Sequence, residues 1–266
     1  MRFGCCGSMV RPAGDPIGIE CLETLETLGY DYIELSIRDI MKLSDAEFSG
    51  LRQRISSSAL RCEACNNFMA AGLRVTGPGA DHEAALAYAG RTFARAAEIG
   101  AEVIVFGSPW ARDIELDFSR ERAHAQMVDV LQRMGPLAAQ YGITIAVEHV
   151  NRVDGNLYTS VSETLTLLRD VAHPNIRLLL DFFHLSIEKE PLSCMLDAGD
   201  ALRHIHFARL YQRRFPQDMR EDINYEPFFA NLKKLGYAHR LSIEAAPRNF
   251  REDAKKALGF LKTFQE

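Results

Sequence analysis

Short apolar runs alternate along the chain with longer stretches whose apolar residues recur at three- and four-residue spacing. The first pattern fits strands covered by helices, the second amphipathic helices. Strands are predicted at 2–6, 31–36, 59–66, 102–107, 143–148, 176–181, 203–208 and 240–245. Helices are predicted near 17–28, 44–57, 81–99, 119–141, 160–171, 191–200, 226–235 and 251–264. Gly29, Gly100, Gly142 and Gly236 each fall just past a predicted helix end, where a left-handed cap residue favours glycine. Eight such units in 266 residues predict an α/β chain folded as a single (β/α)8 TIM barrel over residues 1–266. An open doubly wound sheet would more often carry a glycine-rich nucleotide loop after its first strand. Gly4-Cys5-Cys6-Gly7-Ser8 lacks that spacing.

Composition narrows the function classes. Apolar residues make up 47% and charged residues 25%, with a net charge of −5. That balance offers no basic footprint for nucleic acid. Neither a signal-peptide pattern nor an apolar run of membrane-spanning length is visible, so a cytoplasmic protein with no membrane partner is expected. Six cysteines occur, and Cys62-Glu63-Ala64-Cys65 has CxxC spelling. No second pair with zinc spacing accompanies it. In a regular strand the three-residue offset points the two side chains to opposite faces. Reduced, buried thiols are therefore expected.

Barrels of this kind place their chemistry at the C-terminal ends of the strands. The predicted strands five to eight each run apolar and stop on a polar group: Glu148, Asp181, His206 and Glu244. Four such groups crowded at one end would repel or remain costly without a cation between them. Three carboxylates and one imidazole make an oxygen-rich set that predicts one divalent ion, Mn2+ or Mg2+ first, with Co2+ or Zn2+ also compatible. His204 faces the same side as His206, one layer deeper, and is expected to support the site or the core. His184, in the loop after Asp181, is expected to contact substrate.

In order, these strands carry motifs that resemble the xylose isomerase-like TIM barrel superfamily across essentially the whole chain. The matching pieces are Leu28-Gly29-Tyr30-Asp31-Tyr32-Ile33-Glu34-Leu35, Val105-Phe106-Gly107-Ser108 with Ala111-Arg112, and Glu148-His149-Val150-Asn151-Arg152. Asp181-Phe182-Phe183-His184, His204-Ile205-His206 and Ser242-Ile243-Glu244 complete the set. The chain is most similar to ketose 3-epimerases of the tagatose/psicose type. That resemblance implies a sugar or sugar-like substrate and a metal on Glu148, Asp181, His206 and Glu244. It also implies Glu148 and Glu244 as the acid/base pair and His184 on a substrate oxygen. It places a substrate-binding arginine after the metal histidine, here Arg213 or Arg214. The family tends to have Glu-Pro-Leu-Asn-Arg and then a second glutamate, where this chain has Glu148-His149-Val150-Asn151-Arg152 and then Asp154.

Further residues are expected at the mouth. Trp110 and Phe3 would form an apolar wall against the sugar, Asn66 and Asn67 would contact hydroxyls, and Glu34 would brace a loop or touch substrate. Arg112, Arg213 and Arg214 are candidates for an acid group or phosphate. A dehydratase, or an aldose–ketose isomerase acting on a keto-cyclitol, keto-acid or sugar phosphate, shares the same α-proton chemistry. An apurinic endonuclease would need additional strand-end histidines, whereas strands three and four end on Asn66-Asn67 and Gly107-Ser108. A homodimer or homotetramer is the expected assembly.

Overall fold

Eight short, mostly buried runs form parallel strands, and their alternation with helices closes them into a barrel. They are β1 (Arg2–Cys6), β2 (Tyr32–Ser36), β3 (Arg61–Asn66), β4 (Val103–Phe106), β5 (Thr144–Glu148), β6 (Ile176–Asp181), β7 (Leu202–Phe207) and β8 (Arg240–Ile243). Each pairs with its sequence neighbours, and β8 pairs back onto β1, in a computed structural model that describes residues 1–10 and 14–265. The helices between them start on sequence-encoded caps. Ser44, Asp81, Ser119, Ser160 and Asn249 each accept a backbone N–H in the first turn. They end as expected, with Gly29, Gly100, Gly142 and Gly236 all at positive φ.

Period-two alternation decides what fills the barrel. Its interior is packed with Tyr32, Ala64, Val103, Val105, Ala146 and Leu179. The alternate residues join one continuous core between strands and helices. At the N-terminal end an ionic plug closes the barrel. Arg240 donates to Glu63 and Glu102, both at 2.7 Å, and Arg2 donates to Glu63. Gly4 faces inward, where a Cβ would strike the Tyr32 ring.

Three expectations change. Phe3 is fully buried in the outer core; it alternates with inward Gly4 and cannot wall a sugar site. Cys62 and Cys65 do not point apart, because their Sγ atoms lie 3.9 Å from each other. The register slips there, with Ile33 opposite Cys62 but Glu34 opposite Ala64. One extra residue, Glu63, restores both thiols to the outer face, as a bulge does. All six cysteines are free thiols. Finally, the helix expected near 191–200 is short, Cys194–Ala198. Among the described residues no helix is long and apolar enough to cross a membrane.

Candidate active site

The strand ends converge as the alternation requires. One ligand atom from each of Glu148, Asp181, His206 and Glu244 lies within 4.8 Å of the other three. His206 Nδ1 stands 3.2 Å from a Glu244 oxygen and 3.5 Å from Glu148, yet this buried nitrogen has no hydrogen-bond partner. Glu244 lies one residue past the end of β8, so it belongs to the mouth and not to the strand. Asp181 ends β6 and also caps the helix Phe182–Glu188, accepting the Phe183 N–H at 2.7 Å. That helical turn, not a loop, carries His184, which is the third residue of the helix and so faces back toward its own cap. His184 Nε2 comes within 3.4 Å of Asp181 and 3.7 Å of Glu148.

Charge balance accounts for the shifted groups. Burial alone would raise Glu244, but the Arg213 guanidinium and His206 outweigh it and hold the carboxyl down to about 2. Burial raises Asp181, only partly offset by His184 and Arg213. Burial would lower His206, but Glu244 and Glu34 reverse that and raise it well above the ordinary value. Arg213 bonds both Asp181 and Glu244 and stacks 4.6 Å from the centre of the Phe183 ring. Its φ of +47° follows a φ of +62° at Gln212. Two adjacent non-glycine residues in this conformation are strained, and the Arg213 guanidinium they carry meets Asp181 and Glu244.

Two side chains hold the ends of the strands in place. Arg112 is fully buried and donates to the carbonyls of Phe106 and Glu148, the latter at 2.6 Å. Burial pushes it down to about 10. It is a brace between β4 and β5, not a substrate cation. His149 accepts the Asp181 backbone N–H at 3.3 Å, tying β5 to β6. Burial, helped by His184 and Arg112, pushes His149 from 6.5 down to about 3. The unfolded chain therefore binds one more proton than the native protein between those values, and stability rises with pH across the window. His149→Gln is expected to remove this contribution, about 1.4 kcal/mol per pH unit. The check is the difference between wild-type and variant unfolding free energies at pH 6 and pH 5.

Gly107 has a role that strand-end counting did not reveal. A Cβ there would lie 2.1 Å from Glu148 Oε2. Gly107→Ala must displace the carboxylate or the strand end. Because a misplacement of about 1 Å can cost about 100-fold, turnover is expected to fall by that order while the protein remains folded. Turnover and thermal melting measured together check this.

The xylose isomerase-like TIM barrel family model matches residues 22–264. The chain belongs to that family. Among curated proteins, the D-psicose 3-epimerase of Agrobacterium fabrum is 26% identical over 272 residues, covering 90% of each chain. The L-ribulose 3-epimerase of Mesorhizobium japonicum is also 26% identical, covering 82% of this chain and 71% of its own. Among solved structures, a D-psicose 3-epimerase with D-tagatose from Clostridium cellulolyticum H10 superposes with a TM-score of 0.88 over 100% of both chains, at 18% identity.

Within this xylose isomerase-like barrel the other expected residues divide clearly. Of the two arginines, Arg213 enters the site, whereas Arg214 donates to the carbonyls of Ala246 and Pro247. Asp154 lies at the mouth, 3.7 Å from His184 Nδ1, and accepts from Asn151 at 2.7 Å. Trp110 is half-buried after β4, its indole N–H on the Met69 carbonyl and the Arg38 guanidinium over its ring. Asn66 ends β3 beside Ser8 and Asn67. Glu34 does not brace a loop or reach the mouth; it lies beneath the cluster, bonded to His204 and His206. Cys6, 3.8 Å from His206 Nε2, also went unnoticed in the sequence. Its signal was position alone, the last inward residue of β1. A cavity of about 660 Å3 on the barrel flank, lined in part by Leu165, Arg169, His173 and Arg177, contains none of these groups.

Proposed function

We propose that the chain is a divalent-metal-dependent sugar epimerase that moves the proton next to a ketose carbonyl, with inversion at C3 as the favoured outcome. The observation that carries this reading is the convergence of Glu148, Asp181, His206 and Glu244 within 4.8 Å. The donor set suits a metal: three carboxylates that otherwise repel, and a buried His206 Nδ1 without a partner. Its oxygen-rich character favours Mn2+ or Mg2+. The curated relatives, named as ketose 3-epimerases over most of this chain's length, support the reaction class.

A C–H bond next to a carbonyl is too weakly acidic for a free carboxylate to deprotonate quickly. A bound divalent ion supplies the electrophile that polarises the carbonyl and stabilises the enediolate charge. The protein supplies the rest. Glu148 on β5 and Glu244 after β8 approach from different sides of the mouth, so one takes the proton from one face of the carbon and the other returns a proton to the opposite face. His184, held by Asn151 at 2.7 Å, and the Arg213 guanidinium hold substrate oxygens. Trp110, Asn66 and Asp154 line the remainder of the mouth and contact the distal part of the substrate.

Product analysis tests the reading. The metal-supplemented protein is incubated with D-psicose, D-fructose, D-tagatose and L-ribulose, and products are resolved by chromatography. C3 epimers are expected. A deoxy-keto or unsaturated product would indicate a dehydratase, and an aldose would indicate a C1–C2 isomerase.

A further inference from the structure

We propose that Glu34 is a positioning residue that sets the tautomer of His206 and thereby the metal affinity of the site. The inference rests on the metal reading above.

Glu34 and His206 are both fully buried. A buried carboxylate requires donors, and three converge on this one. His206 Nε2 lies 2.9 Å from Oε1, His204 Nε2 lies 2.8 Å from Oε2, and the Ser242 hydroxyl donates to Oε2 at 2.6 Å. The Tyr32 hydroxyl in turn lies 2.8 Å from Ser242. β2 pairs with β1 and β3 and with neither β7 nor β8. Glu34 therefore reaches across the barrel interior to the two strands that lead to His206 and Glu244.

The consequence follows from the two ring nitrogens. With Nε2–H committed to Glu34, the lone pair available to a cation is at Nδ1, the partnerless atom 3.2 Å from Glu244 and 3.5 Å from Glu148. Carboxylates that hold the outer nitrogen of a ligating histidine fix its orientation and raise its donor strength. His204 and the Ser242 hydroxyl share the second Glu34 oxygen, so the carboxylate stays in place when either one is lost. Cys6, Glu34 and His206 are also close enough to ligate an ion of their own. Such an ion would have to displace the 2.9 Å Glu34–His206 bond, so a single metal equivalent is expected.

The test compares Mn2+ binding by calorimetry in wild type, Glu34→Gln and His204→Gln, with melting curves of the metal-free proteins. Wild type is expected to bind one equivalent. Glu34→Gln should raise Kd by about 10- to 100-fold with a melting temperature close to wild type. His204→Gln, which leaves the Glu34–His206 bond in place, should change Kd by much less. Nitrogen NMR of histidine-labelled, Mg2+-loaded wild type should show His206 protonated at Nε2, a readout that holds even if Glu34→Gln fails to fold. An unchanged Kd in Glu34→Gln, an Nδ1-protonated His206, or loss of a second metal equivalent in that variant would overturn the proposal. If wild type binds no Mn2+, it is the metal reading that fails, and the Glu34 inference falls with it.

Discussion

Glu244→Gln is expected to lower turnover by about a thousandfold, within the roughly 100- to 10,000-fold range that positioned acid/base groups supply. The amide keeps an oxygen for a cation but cannot take or return a proton. Glu148→Gln is expected to lose a similar factor, because inversion needs both faces of the carbon served. The two variants differ in solvent exchange. A base that still functions on one face continues to exchange the substrate proton with water, although no epimer forms. One variant should therefore retain exchange with one epimer and lose it with the other, and its partner should show the reverse. Metal content measured beside turnover separates lost proton transfer from lost metal. Full turnover in either variant would remove that glutamate from the acid/base role.

Chelation is the second large effect. Dialysis against EDTA is expected to abolish turnover, and addition of Mn2+ or Mg2+ to restore it. The donor cluster should make the same event visible in stability. Saturating metal at about a hundred times Kd adds about 2.7 kcal/mol to the native state. For a chain of this size that is a rise in melting temperature of about 5–10 °C. Substituting Asp181, which is 1% exposed and whose Oδ1 caps the following helix, should remove the metal-dependent rise and cost stability as well. Turnover that persists at background metal content would contradict the account.

The fold and the centre of the site were legible in the sequence for the same reason. Apolar strands that stop on a carboxylate or histidine are an unusual pattern, and the barrel topology places such ends together. What escaped depended on residues whose meaning lies across the barrel. Glu34 reads as a strand-end acid until β7 is seen to bring His204 and His206, and β8 Ser242, over it. Arg112 reads as a loop cation, yet it is buried against the carbonyls of Phe106 and Glu148. The Cys62–Cys65 spacing misled because a bulge reset the alternation that sequence reading assumes. The helix carrying His184 spans seven residues, too few for a helical period to stand out. Arg213 and Arg214 were inseparable in sequence, and backbone conformation at Gln212 and Arg213 distinguishes them.

Metal-dependent removal of the proton next to a ketose carbonyl, by groups at the mouth of this barrel, exchanges that proton with solvent. Proton NMR of D-psicose in deuterated water, with the Mg2+-loaded protein and with the EDTA-treated protein, reads this exchange. Loss of the C3 proton signal and growth of C3-deuterated D-fructose are expected with metal, and neither without it. An unchanged C3 signal across D-psicose, D-tagatose and L-ribulose with metal bound, or exchange that continues in EDTA, would contradict metal-dependent proton removal.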